Sequence, residues 1–146
     1  MTSRAFFDSA SHQNSCGCGV VIFVDEFLHY NLSWNAGMGT NSLAEAKALA
    51  GLLAFCMFLD INPISISGDS KTMVDHVNGN CLIKCPHLTY WLDKIMFFWG
   101  QMGGSSIQHV YRNRNQVTDC LSKEGLQLGT GSWSLQVFAG RESFSI

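Results

Sequence analysis

Charge is scarce in this chain. Asp, Glu, Lys and Arg make up 14% of its 146 residues, and 9 basic against 11 acidic residues leave a formal net charge of −2. This argues against a protein that grips nucleic acid by bulk positive charge. It leaves room for one whose acidic residues themselves hold cations. Long hydrophobic runs are also missing. The longest uncharged apolar stretch of the first helix, residues 48–59, is shorter than the roughly 18 residues that crossing a membrane requires, so no membrane association is expected. No apolar signal segment follows the opening Met-Thr-Ser-Arg. Secretion is therefore not expected, and an intracellular location in nucleus or cytoplasm is. Regular cysteine spacing is absent too: the 6 cysteines follow no disulfide pattern, and 47% hydrophobic residues make a core that stands without bridges. Reduced thiols follow. The length is that of one domain, and no internal repeat is visible.

What is present is organised around residues 42–77, SLAEAKALAGLLAFCMFLDINPISISGDSKTMVDHV. Ala, Leu, Glu and Lys over residues 43–59 specify a helix, with Ser42 as its N-cap and Glu45 completing a capping box. Pro63 stops it. Ile64, Ser65, Ile66 and Ser67 alternate as a half-buried strand does. Asp69 closes that strand, and Ser70 can cap the next helix. Before this core lie three strands at residues 5–8, 18–24 and 27–34, the first two joined by a polar loop, and then a Gly-rich loop at 35–41. After it come a helix from residue 86 or 87 to 99, a last strand at 105–111, a short basic loop Arg112-Asn113-Arg114, and a helix at 115–124 with Val117, Cys120 and Leu121 turned inward. Beyond Gly125 the composition shifts to Gly, Ser and Gln, so residues 127–146 are expected to form a weakly ordered tail to a domain of residues 1–126.

Strand direction gives these pieces a meaning. Three consecutive strands with short links form an antiparallel meander. A fourth strand that follows a helical crossover runs parallel to the first. The fold class is therefore α/β, with a mixed sheet in which Asp8, Glu45, Asp69 and Asp119 reach the same end. Gathered carboxylates repel one another unless something compensates. Hard divalent cations, Mg²⁺ above all, are the natural compensation. Each carboxylate alone also has a plain reading: Glu45 as a capping residue, Asp69 as a turn aspartate. Convergence is what distinguishes the set.

The segments FFDSAS, GCGVVIF, GTNSLAEAKAL, ISGDSKTMVDHVNG and IQHVYRNRNQVTDCLSKEGL occur in the order and spacing of type-1 ribonuclease H domains. From about residue 4 to 126 the chain resembles the plant, retrotransposon-derived ribonuclease H-like group of that family. The resemblance implies a five-stranded mixed sheet, an antiparallel meander plus two parallel strands, flanked by helices. It also implies hydrolysis of the RNA strand of RNA–DNA hybrids with two Mg²⁺ ions, for which Mn²⁺ can substitute. Asp8, Glu45, Asp69 and Asp119 would then be the catalytic, metal-binding carboxylates. Asn14 and Asn41 would lie near the substrate, where an amide can bond a ribose 2′-hydroxyl. Ser42 and Ser70 are candidate backbone or phosphate contacts besides their capping roles. Arg112, Arg114, Lys71 and Lys84 are candidate phosphate contacts. The chain departs from the family in having Ser9 after the first aspartate, Ser42 where a second Asn is common, and no histidine in the loop before the last helix; His109 belongs to the preceding strand.

Two rival readings are carried forward. One is a nucleic-acid-binding or interaction module that keeps the fold with little or no activity. The other is a zinc site on Cys16-x-Cys18 and Cys81-x-x-x-Cys85-x-His87, whose spacings are looser than zinc loops usually show. The Phe97-Phe98-Trp99 run could be a base-stacking platform, but at helical spacing it reads first as core. No obligate protein partner is expected.

Overall fold

The computed structural model describes residues 3–146. The chain opens with strands β1 (Ser3–His12), β2 (Ser15–Phe23) and β3 (Leu28–Met38), then helix α1 (Asn41–Phe58), strand β4 (Ile64–Gly68) and helix α2 (Lys71–Val77). Helix α3 (Thr89–Gly100), strand β5 (Ser106–His109) and helix α4 (Gln116–Gln127) follow, and strands β6 (Trp133–Ala139) and β7 (Glu142–Ser145) end the chain. The sheet order is β5-β4-β1-β2-β3-β6-β7. β4 runs parallel to β1 and β5 parallel to β4, while β2, β3, β6 and β7 pair antiparallel.

The meander and the parallel pair are as the sequence implies, but the sheet has seven strands, not five. The expected weakly ordered tail supplies the extra two. β6 pairs with β3 from Leu28↔Ala139 to Trp34↔Trp133. Trp133, Leu135 and Val137 alternate with Ser134 and Gln136, the period-two pattern of a strand. The polar loop expected after Asp8 is likewise strand. β1 continues to His12 and turns into β2 through Gln13 and Asn14, both at positive φ (50° and 63°), as a tight hairpin turn of the I′ type requires.

α1 is held at both ends by its own backbone chemistry. Its N-cap is Thr40 rather than Ser42: the Thr40 side chain accepts from the Leu43 N–H at 3.2 Å. Ser42 lies inside the first turn and is exposed, so the capping box with Glu45 does not form. At the other end Asp60 takes positive φ (56°), its N–H donating to Met57 O and that of Ile61 to Cys56 O. This is a Schellman stop, reached before Pro63. α1 is long and apolar enough to cross a membrane by length and composition alone. In the fold its apolar residues Ala44, Ala48, Leu49, Leu52 and Leu53 are buried in the core.

α4 covers the opposite face of the sheet, and its buried side differs from expectation. Val117 and Cys120 are exposed; Thr118, Leu121, Ser122 and Gly125 face inward. The reason is a close approach to β2. A Cβ on Gly19 would stand 2.5 Å from Thr118 O, and one on Gly17 would stand 2.1 Å from Ser122 O. Only small residues let a helix backbone come this near a strand backbone. Ser33 Oγ, also buried, donates to Leu121 O at 2.6 Å and fixes the helix along its axis.

Candidate active site

The register of β1 and β4 sets up the site. Phe7 pairs with Gly68, the last matched position of the two parallel strands. The next residues, Asp69 just past the end of β4 and Asp8 within the continuing β1, therefore stand side by side. Asp8 is buried, and its carboxyl lies within hydrogen-bonding reach of Asp69. On the α4 side Asp8 pairs with Gly19, the residue on which Thr118 rests, so Asp119 follows directly. Asp119 acts on Asp8 electrostatically, as does Asp69. Glu45 comes from the second turn of α1. Its Oε2 accepts from Ser70 Oγ at 2.8 Å, the same hydroxyl that caps α2 by accepting from Met73 N. All four carboxylates anticipated from the sequence thus belong to one group.

Their electrostatics follow from this packing. Burial raises the Asp8 carboxyl from 3.8 to about 7; the Ser9 N–H opposes the rise, and the charges of Asp69 and Asp119 add to it. Glu45 is also raised, by burial first and by Asp69, against the Ser70 hydrogen bond. Two cations relieve the outer members. Lys123 Nζ lies 2.9 Å from Asp119 Oδ2, and Arg112 Nε lies 3.8 Å from Asp69 Oδ2. Both cations are largely exposed, so these pairs contribute little stability.

A pH effect follows. The folded protein keeps a proton on Asp8 that the unfolded chain has released, so stability falls as pH rises from about 4 to about 7 and levels off above. In metal-free buffer this component should amount to about 2 kcal/mol after allowance for solvent screening. Thermal melts across that range should show it in the parent protein and not in Asp8→Asn. Equal pH slopes in the two proteins would refute it.

The donor set suits a hard cation: carboxylate oxygens only, one of them raised by burial and, to a lesser degree, by its acidic neighbours. Among the described residues no three His, Cys, Asp or Glu side chains are gathered tightly enough to form a ready ligand cage. The same holds for the zinc alternative. Cys85 Sγ approaches His87 Nδ1 at 3.0 Å, but Cys81 does not complete the set, and Cys16 and Cys18 are buried.

The remaining anticipated residues divide. Asn14 stands at the hairpin tip, tied by its carbonyl to the Gly39 N–H at 2.7 Å, and Asn41 begins α1 just beyond, accepting from Ser11 Oγ. These two, with exposed Ser42, line the same edge. Ser70 is within the group, through Glu45. Arg112 leans toward Asp69, whereas Arg114 lies with Arg4 and Phe6 on the open face of the sheet. Lys71 is engaged with Asp75 at 2.7 Å. Of the aromatic run, Phe98 and Trp99 pack against the core and Phe97 is exposed.

Sequence reasoning gives Asn115 no role of its own, although it belongs to the motif that resembles the ribonuclease H family. It is buried, its Nδ2 donates to Phe7 O at 3.0 Å, and its Oδ1 accepts from Thr118 Oγ1. It ties the start of α4 to the strand segment that ends in Asp8. The sequence signal was its place in the run HVYR-x-x-N-x-x-x-D, four residues before Asp119. Asn115→Ala leaves a buried carbonyl without its donor and should cost about 1–3 kcal/mol, read as a lowered thermal midpoint; an unchanged midpoint would show that water replaces the amide.

Comparison with known proteins accords with this geometry. The reverse transcriptase-like family model matches residues 6–125. The chain belongs to that family. RNase H1 from the halophilic archaeon Halobacterium salinarum superposes with a TM-score of 0.77 at 25% identity, over 87% of this chain and 98% of that one. LC11-RNase H1, whose structure was determined in complex with an RNA/DNA hybrid, gives 0.75 at 27% identity over 86% and 97%. The N-terminal RNase H domain of a Mycobacterium tuberculosis protein gives 0.77 at 21% over 86% and 94%, a likeness of fold. No curated protein sequence matches the chain. This member of the reverse transcriptase-like family thus has the ribonuclease H-like α/β fold, with the two added strands β6 and β7 beyond the matched residues.

Proposed function

We propose that this chain is a metal-dependent endoribonuclease that hydrolyses the RNA strand of RNA–DNA hybrids. The observation that carries the reading is the convergence of Asp8, Glu45, Asp69 and Asp119, with Asp8 pushed up to about 7 by burial and its acidic neighbours. A protein with no use for cations gains nothing from assembling such a group. LC11-RNase H1, bound to an RNA/DNA hybrid in its structure, shares the fold over nearly its whole length, which supports the same substrate here. Within the family the motifs and the histidine-free loop 112–114 favour the plant, retrotransposon-derived group.

The four carboxylates would hold Mg²⁺, or Mn²⁺ in its place. When bound, a pair of such ions activates water and stabilises the leaving oxygen in phosphodiester cleavage. The chain's own residues do the rest. Ser70 orients Glu45 through its hydroxyl. The Ser9 N–H, 2.8 Å from Asp8 Oδ1, stabilises the ionised form of Asp8. Asn14 and Asn41 offer side-chain amides at the edge where a 2′-hydroxyl would distinguish RNA from DNA. Arg112 would steady a phosphate beside Asp69.

The test is cleavage of an end-labelled hybrid with and without Mg²⁺. RNA-strand cleavage that requires the metal is the expected result. If hybrid binds but is never cut with Mg²⁺ or Mn²⁺, the fold serves as a binding module instead.

A further inference from the structure

On the α4 side of the sheet, β1 carries a column of alternate residues: Asp8 at its head, then Phe6, then Arg4. α4 rests on β2 and leaves the lower part of this face open. Across the strands Arg4 pairs with Ser65 on one side and Phe23 on the other, and Phe6 pairs with Ser67. Ser67 Oγ accepts from Gln108 Nε2 at 3.3 Å. The Arg4 guanidinium lies 5.0 Å from the centre of the Phe23 ring, and the Phe6 ring meets Phe23 edge-on at 6.3 Å.

Two cavities flank Phe6. One of 360 Å³ lies between Phe23 and the start of α4; the other, of 220 Å³, is floored by Ser65, Ser67 and Gln108. Arg4, Phe6 and Arg114 line both. A third, of 400 Å³, continues past Arg114 to Tyr111. No acidic residue lines any of the three, and two arginines do, in a chain whose net charge is negative. The groove thus combines three elements: a partly exposed ring between two hollows, cations at their shared wall, and hydroxyls and an amide on their floor. Single-stranded nucleic acid is recognised by this chemistry: bases stack on aromatic faces, arginines track the phosphates, and small polar groups meet base edges. An acidic peptide would find the cations but would leave the ring and hollows without purpose.

We propose that this open face binds a single strand of RNA or DNA, with Phe6 as the stacking ring and Arg4 and Arg114 as phosphate contacts. The loop 112–114 joins it to the carboxylate group, Arg112 facing Asp69 and Arg114 the groove. A strand unpaired at the catalytic end has a continuous path onto the sheet. The binding itself does not depend on cleavage.

The experiment measures fluorescence anisotropy of a short labelled oligouridylate in metal-free buffer with EDTA. The parent protein should bind, and binding should weaken with added salt. Arg4→Glu should weaken it roughly tenfold or more, with a shallower salt dependence, and Phe6→Ala by a similar factor, as stacking losses do. Asp69→Asn, which removes a negative charge beside Arg112, should bind at least as tightly as the parent, which separates this site from the carboxylates. Arg4 is exposed, so its variant decides the question even if Phe6→Ala fails to fold. The proposal falls if the parent does not bind, if Arg4→Glu binds as tightly as the parent, or if Asp69→Asn loses binding equally. It also falls if Arg4→Glu instead disrupts a dimer that binds no oligonucleotide, which would give the face to a second copy of the chain.

Discussion

Asp69→Asn should leave a folded protein that no longer cuts the RNA strand of a hybrid. The loss should be on the order of 10³-fold or more, since one neutral transition-state donor already contributes about 10²–10³ and here a charged ligand is removed. Stability should move the other way. In metal-free buffer Asp69 adds to the negative charge around Asp8 and helps to hold that carboxyl protonated; an amide relieves the repulsion. The variant's melting temperature should therefore equal or exceed the parent's without metal, and should rise less on adding Mg²⁺. A structural aspartate would behave oppositely, with Asn lowering the melt and sparing any chemistry. Melts of both proteins with and without Mg²⁺, paired with the cleavage assay, separate the two cases. If the parent gains no stability from Mg²⁺ or Mn²⁺, the carboxylates are not a cation site.

Removal of residues 130–146 is the second large effect. The Gly- and Ser-rich composition suggests a dispensable tail, but the fold argues otherwise. β6 supplies the outer partner of β3 along its length from Leu28 to Trp34. Asn35 is bound from the same segment: its N–H donates to Ser132 O and its carbonyl accepts from the Gly131 N–H, both at 3.0 Å. Trp133 and Leu135 also wall an apolar groove with Leu32, Trp34, Phe55 and Phe58. Truncation exposes these side chains and leaves β3 as a bare edge, which invites association. The expected cost is about 2–4 kcal/mol, with aggregation on heating. A truncated protein that melts like the parent and stays monomeric would show that β6 and β7 merely decorate a self-sufficient sheet.

The site was more legible than its support. Asp8 and Asp69 end matching stretches of parallel strands, and Glu45 and Asp119 lie early in helices that start at the same end, so topology alone brings them together. The helix face of α4 was not legible, because apolar Val117 and Cys120 lie outside while Thr118, Ser122 and Gly125 are buried. A hydrophobic count cannot see an interface selected for smallness, although Gly17 and Gly19 in one strand were its trace. Ser42 is the better cap in isolation, yet the helix starts two residues earlier, where the Thr40 hydroxyl meets the Leu43 N–H. The last strands were hidden by composition, their alternation of Trp133, Leu135 and Val137 being short and set among glycines.

The contact of α4 with Gly17 and Gly19 has a consequence for how this family member can drift. Thr118 and Ser122 meet the strand through their backbone atoms, so the spacing of Asp119 from Asp8 is written in main chain, which has no rotamers to choose among. Substitutions on the outer side of α4, at Val117, Cys120 or Glu124, can accumulate without retuning that spacing. A single methyl at Gly19 cannot be absorbed: it would lift the helix and carry Asp119 out of the group as one rigid piece. The carboxylate end is therefore robust to change over the outer side of the helix and brittle at Gly17, Gly19 and Gly125, three positions that bear no side chain at all.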